Sequence, residues 1–203
     1  MSAPVAPGRD PAMVTSVRVD DSDLIGESLR RPEAFAELFD RYAGLLYRYT
    51  SRRLGGENAE DVVGETFLVA FARRRTYDRS YRDARPWLFG ILTKLISRHH
   101  RQEAARYRAL ERSGPGVPYE ESPDERVAAG VAAEGVRAEL ASALAGLNPG
   151  DRDVLLLIAW GDFSYEETAQ ALAIPVGTVR SRLNRARRKV RASLGDVNPL
   201  DEV

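Results

Sequence analysis

From Ser164 to Leu194 the chain reads SYEETAQALAIPVGTVRSRLNRARRKVRASL, and this stretch leaves little freedom in how it folds. Ser164 stands three residues before Glu167, the spacing at which a serine hydroxyl and a glutamate carboxylate satisfy each other's backbone amides and start a helix. That helix is short. Thr168, Ala169 and Leu172 turn toward a core, and Pro175 with Gly177 interrupts it, because proline has no amide hydrogen to continue the ladder. A second helix opens near Val176, with Val176, Val179, Leu183, Ala186 and Val190 as an apolar stripe at helical spacing. Its other faces carry Arg180, Arg182, Arg185, Arg187, Arg188, Lys189 and Arg191, and no acidic residue falls between Thr178 and Leu194.

Two helices joined by a tight turn, the second basic, predict a helix-turn-helix whose second helix fits the DNA major groove. A charge run alone would equally suit a solvated helix face; cap, turn and charge of one sign together point to DNA. The DNA-contacting set is Thr178, Val179, Arg180, Ser181, Arg182, Asn184, Arg185 and Arg188. Thr178, Arg180, Ser181 and Asn184 lie early enough to reach base edges. Arg185, Arg187, Arg188 and Lys189 are better placed for phosphates, and the amides at the helix start favour an anion.

The formal net charge is +0, so only the distribution of charge is informative. Arg73 to Arg108 holds eleven Arg or Lys against three acids, Thr178 to Arg191 seven against none, and Tyr119 to Glu134 five acids against one Arg. Two basic blocks flanking an acidic one predict two contacts with a polyanion. Cysteine is absent, which excludes disulfides, thiol nucleophiles and Cys-ligated metals. No apolar run approaches the ~18 residues of a membrane span, and residues 1–22 lack a signal-peptide apolar core. A soluble, cytoplasmic protein without membrane insertion is expected.

Every remaining segment reads as helix or linker. Residues 1–22 are Ala/Pro/Gly-rich and expected to be a disordered tail, within which Met13 is an alternative start. A short helix is expected from Asp23 to Arg31, and a longer one from the Pro32 turn to Leu54, ended by Gly55-Gly56. Asn58 is expected to cap a third helix, Ala59 to Arg73, with Val62, Val63, Phe67, Ala70 and Phe71 inward. Asp61, Glu65 and Leu68 share another face, either a solvated acidic surface or a partner-binding one. After the Arg-rich loop Arg73–Asp83, a fourth helix opens at Arg85-Pro86-Trp87 and runs to Arg112. Tyr77, Tyr81 and Trp87 beside cations suit single-stranded nucleic acid, where bases stack on rings; Trp87 equally suits a core. His99 and His100 are adjacent on a helix, point about 100° apart and have no carboxylate partner at ligand spacing, so no metal is expected. Residues 111–134 form an acidic Gly/Pro linker, Asp124 to Leu147 an Ala-rich helix broken by Asn148-Pro149-Gly150, and Asp151 to Trp160 a helix supporting the helix-turn-helix; residues 195–203 are a frayed tail. No strand pattern, phosphate loop or isolated carboxylate pair in an apolar setting appears, so neither enzyme nor cofactor is expected.

AEDVVGETFLVAF (Ala59–Phe71), RPWLFGILTKLISRHHR (Arg85–Arg101) and SYEETAQALAIPVGTVRSRLNRARRKVR (Ser164–Arg191) together resemble bacterial RNA polymerase sigma factors of the small extracytoplasmic-function type. The resemblance implies an all-α chain of two small helical domains, a region 2 bundle at 23–110 and a region 4 helix-turn-helix at 135–194, joined by a flexible linker. It implies binding to core RNA polymerase, on the clamp of the largest subunit and the flap of the second-largest, to promoter DNA and to an anti-sigma factor. Asp61, Val62, Glu65 and Leu68 would dock on the clamp. Arg75, Tyr77, Arg79, Trp87, Lys94, Arg98 and Arg101 would recognise and melt the minus-ten element, and the Thr178–Arg191 helix would read the minus-thirty-five element. The linker would run through the polymerase cleft. Where the family often carries an Asn seven residues after the Trp, this chain has Lys94, which can hold a phosphate but cannot offer a paired donor and acceptor to a base. The alternative is a free-standing helix-turn-helix regulator that binds duplex DNA without polymerase.

Overall fold

The computed structural model describes residues 19–112 and 139–194, and every regular element among them is helical. The chain runs α1 (Asp21–Ser28), a 3-10 turn (Pro32–Phe35), α2 (Ala36–Leu54), α3 (Ala59–Arg73), a second 3-10 turn (Arg74–Thr76) and α4 (Arg85–Arg112). It resumes with a helical segment at 139–145 (α5), then α6 (Pro149–Gly161), α7 (Tyr165–Leu172) and α8 (Val176–Ser193). The expected tails, apart from residues 19–22, and the linker beyond Arg112 lie outside the described residues, as does the front of the Ala-rich helix.

Helix starts follow local chemistry, with three corrections. Asp21 and Ser22, expected in the tail, are the buried first residues of α1. Asn58 precedes α3 but sits in the helical region with no side-chain cap bond, so it is simply drawn into the turn. The Ala-rich helix does end ahead of Asn148, but Pro149 and Gly150 already belong to the next element: Pro149 is the first residue of α6, where its missing amide hydrogen costs nothing. α2 ends at Gly55 (φ 81°), as the glycine pair predicts.

α1 to α4 form a bundle around Leu24, Ile25, Leu38, Leu46, Phe67, Leu88, Leu92 and Ile96. Phe35 meets Phe71 edge-on at 5.3 Å, and Tyr49 meets Phe89 at 5.2 Å. α6 to α8 close a smaller core of Val154, Ala169, Val179 and Leu183. These two bodies are not independent. Leu156, Leu157, Phe163 and Ala171 belong to the apolar cluster of the first bundle, and Phe163 packs on Phe89 with ring centroids 4.9 Å apart. Gly90 makes the approach possible, since a Cβ there would collide with the carbonyl oxygen of Ala171. The Arg85 guanidinium donates to the Gly161 carbonyl, and to that of Asp162 at 3.1 Å, and lies 4.2 Å over the Phe163 ring.

One ion pair spans this contact. Both terminal nitrogens of Arg53 on α2 donate to Asp153 Oδ1 on α6, at 3.0 and 3.1 Å, with 5% of the Arg53 side chain exposed. His100 on α4 sits beside it. Burial, then the positive charges of Arg53 and Arg152, hold its imidazole below the ordinary value of 6.5, against the opposing pull of Glu103.

Removing one partner of a buried pair leaves an unpaired charge and costs about 3–5 kcal/mol. Asp153→Ala is therefore expected to part the two bodies: the radius of gyration in solution scattering rises, while far-UV circular dichroism changes little. A second expectation concerns pH. Because the folded form binds the His100 proton more weakly than the unfolded chain, stability present above pH 6.5 declines as the pH falls below it. Thermal melts between pH 7 and 5.5 are expected to show a smaller loss for His100→Gln than for the natural chain.

Candidate nucleic-acid and partner interfaces

The helix-turn-helix is built as its sequence dictates. The Ser164 amide donates to Glu167 Oε2 at 2.7 Å and the Glu167 amide to Ser164 Oγ at 3.1 Å, a reciprocal cap that fixes the start of α7. Ala173, at φ 52°, turns the chain left-handed after Leu172, and Pro175 is the residue preceding α8. Gly177 is not part of the break; it is the second residue of α8.

On α8 the buried stripe is Val179, Leu183 and Ala186. Val179 has no exposed surface, so its expected place among DNA contacts is corrected: it anchors the helix. Arg180, Ser181, Asn184, Arg187 and Arg188 are exposed, and Thr178 is half-buried. The Ser181 hydroxyl donates back to the Thr178 carbonyl at 3.0 Å, and Arg180 lies 6.0 Å from the Tyr165 ring. Arg185 is engaged: its Nη2 and Nε donate to the two oxygens of the buried Asp151, at 3.0 and 3.3 Å, pinning α8 to the start of α6. Arg182 leans over Gly150, away from the exposed face.

The minus-ten set divides similarly. Arg75, Lys94 and Arg101 are exposed. Tyr77 is buried, 7% exposed, and its hydroxyl lies within bonding distance of the Tyr81 and Asp83 carbonyls, at 2.8 and 3.1 Å. It cannot stack a base; it supports Trp87, whose half-buried ring lies 5.0 Å away. Arg79 donates to the Ser22 carbonyl at 3.3 Å. Arg98, placed with DNA by sequence, and Glu65, placed with polymerase, bind each other at 2.5 and 2.6 Å. On the rest of that face Asp61 is exposed and Leu68 is 72% exposed, while Val62 is 6% exposed and belongs to the core, a second correction to the expected contacts. A solvent-facing leucine of this size beside a carboxylate is an unspent apolar surface.

Along the sequence the two expected DNA sets fall in different domains. In the structure, Lys94, Ser97 and Arg101 of α4 share a cleft of about 260 Å³ with Gly150 and Asp153 of α6 and Arg182 of α8. Asp21, Tyr42 and Asp83, which no motif in the sequence singles out, converge beneath the Arg-rich loop: the Tyr42 hydroxyl lies 2.5 Å from Asp21 Oδ2 and 3.0 Å from Asp83 Oδ1. Burial first, then both carboxylates, push the Tyr42 phenol far up, so it stays protonated. A lone tyrosine on an apolar helix face gives no sequence signal of such a role. Among the described residues no group of three or more His, Asp or Glu side chains converges as a metal site requires, and no helix is long and apolar enough to cross a membrane.

Comparison with known proteins agrees with this geometry. The family profile described as "Sigma-70 region 2" matches residues 38–106, and that described as "Sigma-70, region 4" matches residues 137–190. The chain is 36% identical over 163 residues to the ECF RNA polymerase sigma factor SigL of Mycobacterium tuberculosis strain H37Rv, covering 79% of this chain and 88% of that one. It is 31% identical to SigW of Bacillus subtilis, covering 81% and 91%. Among solved structures, CnrH in complex with the cytosolic domain of CnrY matches with a TM-score of 0.59 at 28% identity, over 88% of this chain and 99% of that one. RpoE from Bartonella quintana, solved with the anti-sigma factor NepR, shares the fold with a TM-score of 0.57 at 22% identity, over 81% and 98%. The chain belongs to the extracytoplasmic-function sigma factors, transcription-initiation subunits that give RNA polymerase its promoter specificity.

Proposed function

We propose that this sigma factor divides its work among three surfaces, acting as a binding and positioning subunit rather than a catalyst, in the cytoplasm. The observation that carries this reading is the two-sidedness of α8: its apolar stripe is buried while Arg180, Ser181, Asn184 and Arg188 face solvent with no acidic residue beside them. That face reads the minus-thirty-five element in the major groove, with Arg180 and Asn184 at base edges and Arg187 and Arg188 on phosphates. Asp61 and Leu68 of α3 dock on the clamp of core RNA polymerase. Trp87, with Arg75, Arg79, Lys94 and Arg101 around it, receives the melted minus-ten strand. On this reading residues 23–110 and 135–194 are the two working units. CnrH was solved with a cytosolic partner domain and the Bartonella RpoE with an anti-sigma factor, and an anti-sigma partner for this chain rests on that likeness.

The two promoter elements are about 25 base pairs apart, or roughly 85 Å at 3.4 Å per base pair. Lys94, Arg101 and Arg182 line one cleft, so α4 must part from α6 and α7 before both elements are read together. The 26 residues from 113 to 138 can reach at most ~90 Å when extended, enough to allow it.

Purified chain is expected to bind core RNA polymerase and to create new start sites in run-off transcription from genomic fragments. Specific shifts of duplex DNA by the chain alone, with no polymerase binding, would overturn the reading. Arg180→Ala or Asn184→Ala is expected to cost about 1–3 kcal/mol of discrimination at the upstream element, measured by competing cognate and mismatched promoters against the holoenzyme. Asp61→Arg is expected to weaken core polymerase binding by roughly tenfold or more at unchanged helicity; unaltered binding would remove this face from the interface.

A further inference from the structure

The carboxylate of Asp21 is 4% exposed and holds more of the molecule together than any local role of α1 requires. α1 lies before residue 38, where the region 2 match begins. Yet Asp21 reaches forward to the far end of the Arg-rich loop. Its amide donates to the Arg82 carbonyl at 3.1 Å, and its Oδ2 accepts from the Ala84 amide at 2.8 Å. The same oxygen receives the Tyr42 hydroxyl at 2.5 Å, and Oδ1 accepts from Arg41 at 2.8 Å. Tyr42 also approaches Asp83 Oδ1 at 3.0 Å, and that oxygen accepts from the Arg85 amide at 2.8 Å, in the first turn of α4. One phenolic proton thus lies between two carboxylates, with Arg41 and two backbone amides balancing their charge.

From Asp83 the chain of contacts runs on to Trp87. The Asp83 carbonyl lies 3.1 Å from the Tyr77 hydroxyl, and the Tyr77 ring lies against Trp87. The near part of the loop is tied to α1 as well. Arg79 donates to the Ser22 carbonyl and lies over Gly26, where a Cβ would come within 2.6 Å of the Arg79 Cζ. Between Arg74 and Ala84 only Tyr77 and Ala84 are buried, so apolar packing alone does little to hold this loop. Its order depends on the polar network, and buried networks of this kind fix a single geometry only when every member is present.

We infer that Asp21 is a positioning residue for promoter melting: by fixing Asp83, Ala84 and the first turn of α4 against α1 and α2, it presents Trp87 and the Arg-rich loop already ordered to the strand they capture. This rests on the proposed assignment of Trp87 and the loop to the minus-ten element. Asp21 does not touch DNA. Its contribution is preorganisation: a loop that is loose before binding must be ordered while the duplex is being opened, which slows the step that needs it most. On a template already unpaired at the minus-ten element, that step is gone and the looseness matters much less.

The test uses holoenzyme reconstituted with the full chain, on the promoter mapped by run-off transcription, in duplex form and as a heteroduplex mismatched across the minus-ten element. Asp21→Asn keeps the shape and removes the charge. Core polymerase affinity is expected to stay within about twofold, and open-complex formation on the duplex, followed by permanganate reactivity of unpaired thymines, to fall by about tenfold or more; on the heteroduplex the loss shrinks to under about threefold. Tyr42→Phe, which removes only the hydroxyl, is expected to shift both templates in the same sense by less, and it carries the test should Asp21→Asn lose helicity. Equal losses on both templates, or a loss of polymerase affinity of the same size, would make Asp21 a folding residue and overturn the inference, as would an unchanged melting rate on the duplex. Trp87→Ala separates the underlying assignment: if it melts the duplex normally, the minus-ten reading itself falls, whatever Asp21→Asn does.

Discussion

The close approach of α4 to α7 at Gly90 is the constraint on which the arrangement of the molecule depends. A helix normally presents one apolar stripe to one core. α4 presents Leu88, Leu92 and Ile96 to the first bundle, and through Gly90 and Phe89 it also receives Phe163 and Ala171 from the second. Side chains of ordinary size at position 90 would hold the backbones apart and leave Leu157 and Phe163 without cover, exposing apolar area whose burial is worth about 25 cal/mol per Å². The absence of a single methyl group therefore decides whether the two bodies share a core.

Charge is arranged to the same end. A chain with thirty basic and thirty acidic side chains has no net field to steer it. Selectivity has to come from which cations are committed and which are free. Arg53, Arg98 and Arg185 are each held by a carboxylate from another helix, Asp153, Glu65 and Asp151 respectively. Arg180, Arg187, Arg188 and Arg191 remain exposed on α8. The committed arginines fix helices relative to one another. The exposed ones keep their hydration until a polyanion replaces it, which is where counterion release favours binding. The Arg98–Glu65 pair is half-exposed and so contributes little stability; its consequence is to neutralise part of a face that would otherwise read as purely acidic.

Local chemistry was legible and long-range chemistry was not. The end of α2 at Gly55, the reciprocal cap of α7 and the start of α8 at Val176 all follow from signals within four or five residues. The inward faces of α3, α4 and α8 follow from spacing, because three-and-four periodicity is a property of one helix. Val62 and Val179 show where that fails. Each neighbours functional-looking side chains in sequence, but one residue along a helix is a turn of about 100°, enough to move it from surface to core. Tyr77 fails differently: in a loop there is no period, so nothing local distinguishes a ring that stacks on a base from one that supports its neighbour. The Asp21–Tyr42–Asp83 convergence and the Arg53–Asp153 pair join residues 21 to 100 positions apart, and no pattern along one sequence encodes them.

The positions of these features along α4 bind them into one mechanical unit. Trp87 and Gly90 are three residues apart and so lie on neighbouring parts of one helix face. Arg85, two residues before Trp87, already reaches across to the carbonyls of Gly161 and Asp162 at the end of α6. The surface that receives the second body thus begins within one turn of the ring assigned to strand capture, and a rigid helix gives the two no independent freedom. On the proposed assignment, a strand approaching Trp87 would meet the α6–α7 corner at the same turn of α4. The loop network under Asp21 holds that turn through α1 and α2, and of these α2 also carries the Arg53–Asp153 pair that separation of the two bodies would break. Separation of the two bodies can therefore leave the capturing end of α4 in place, because the bonds that order it come from Asp21, Tyr42 and Asp83 and none of them is made to α6 or α7.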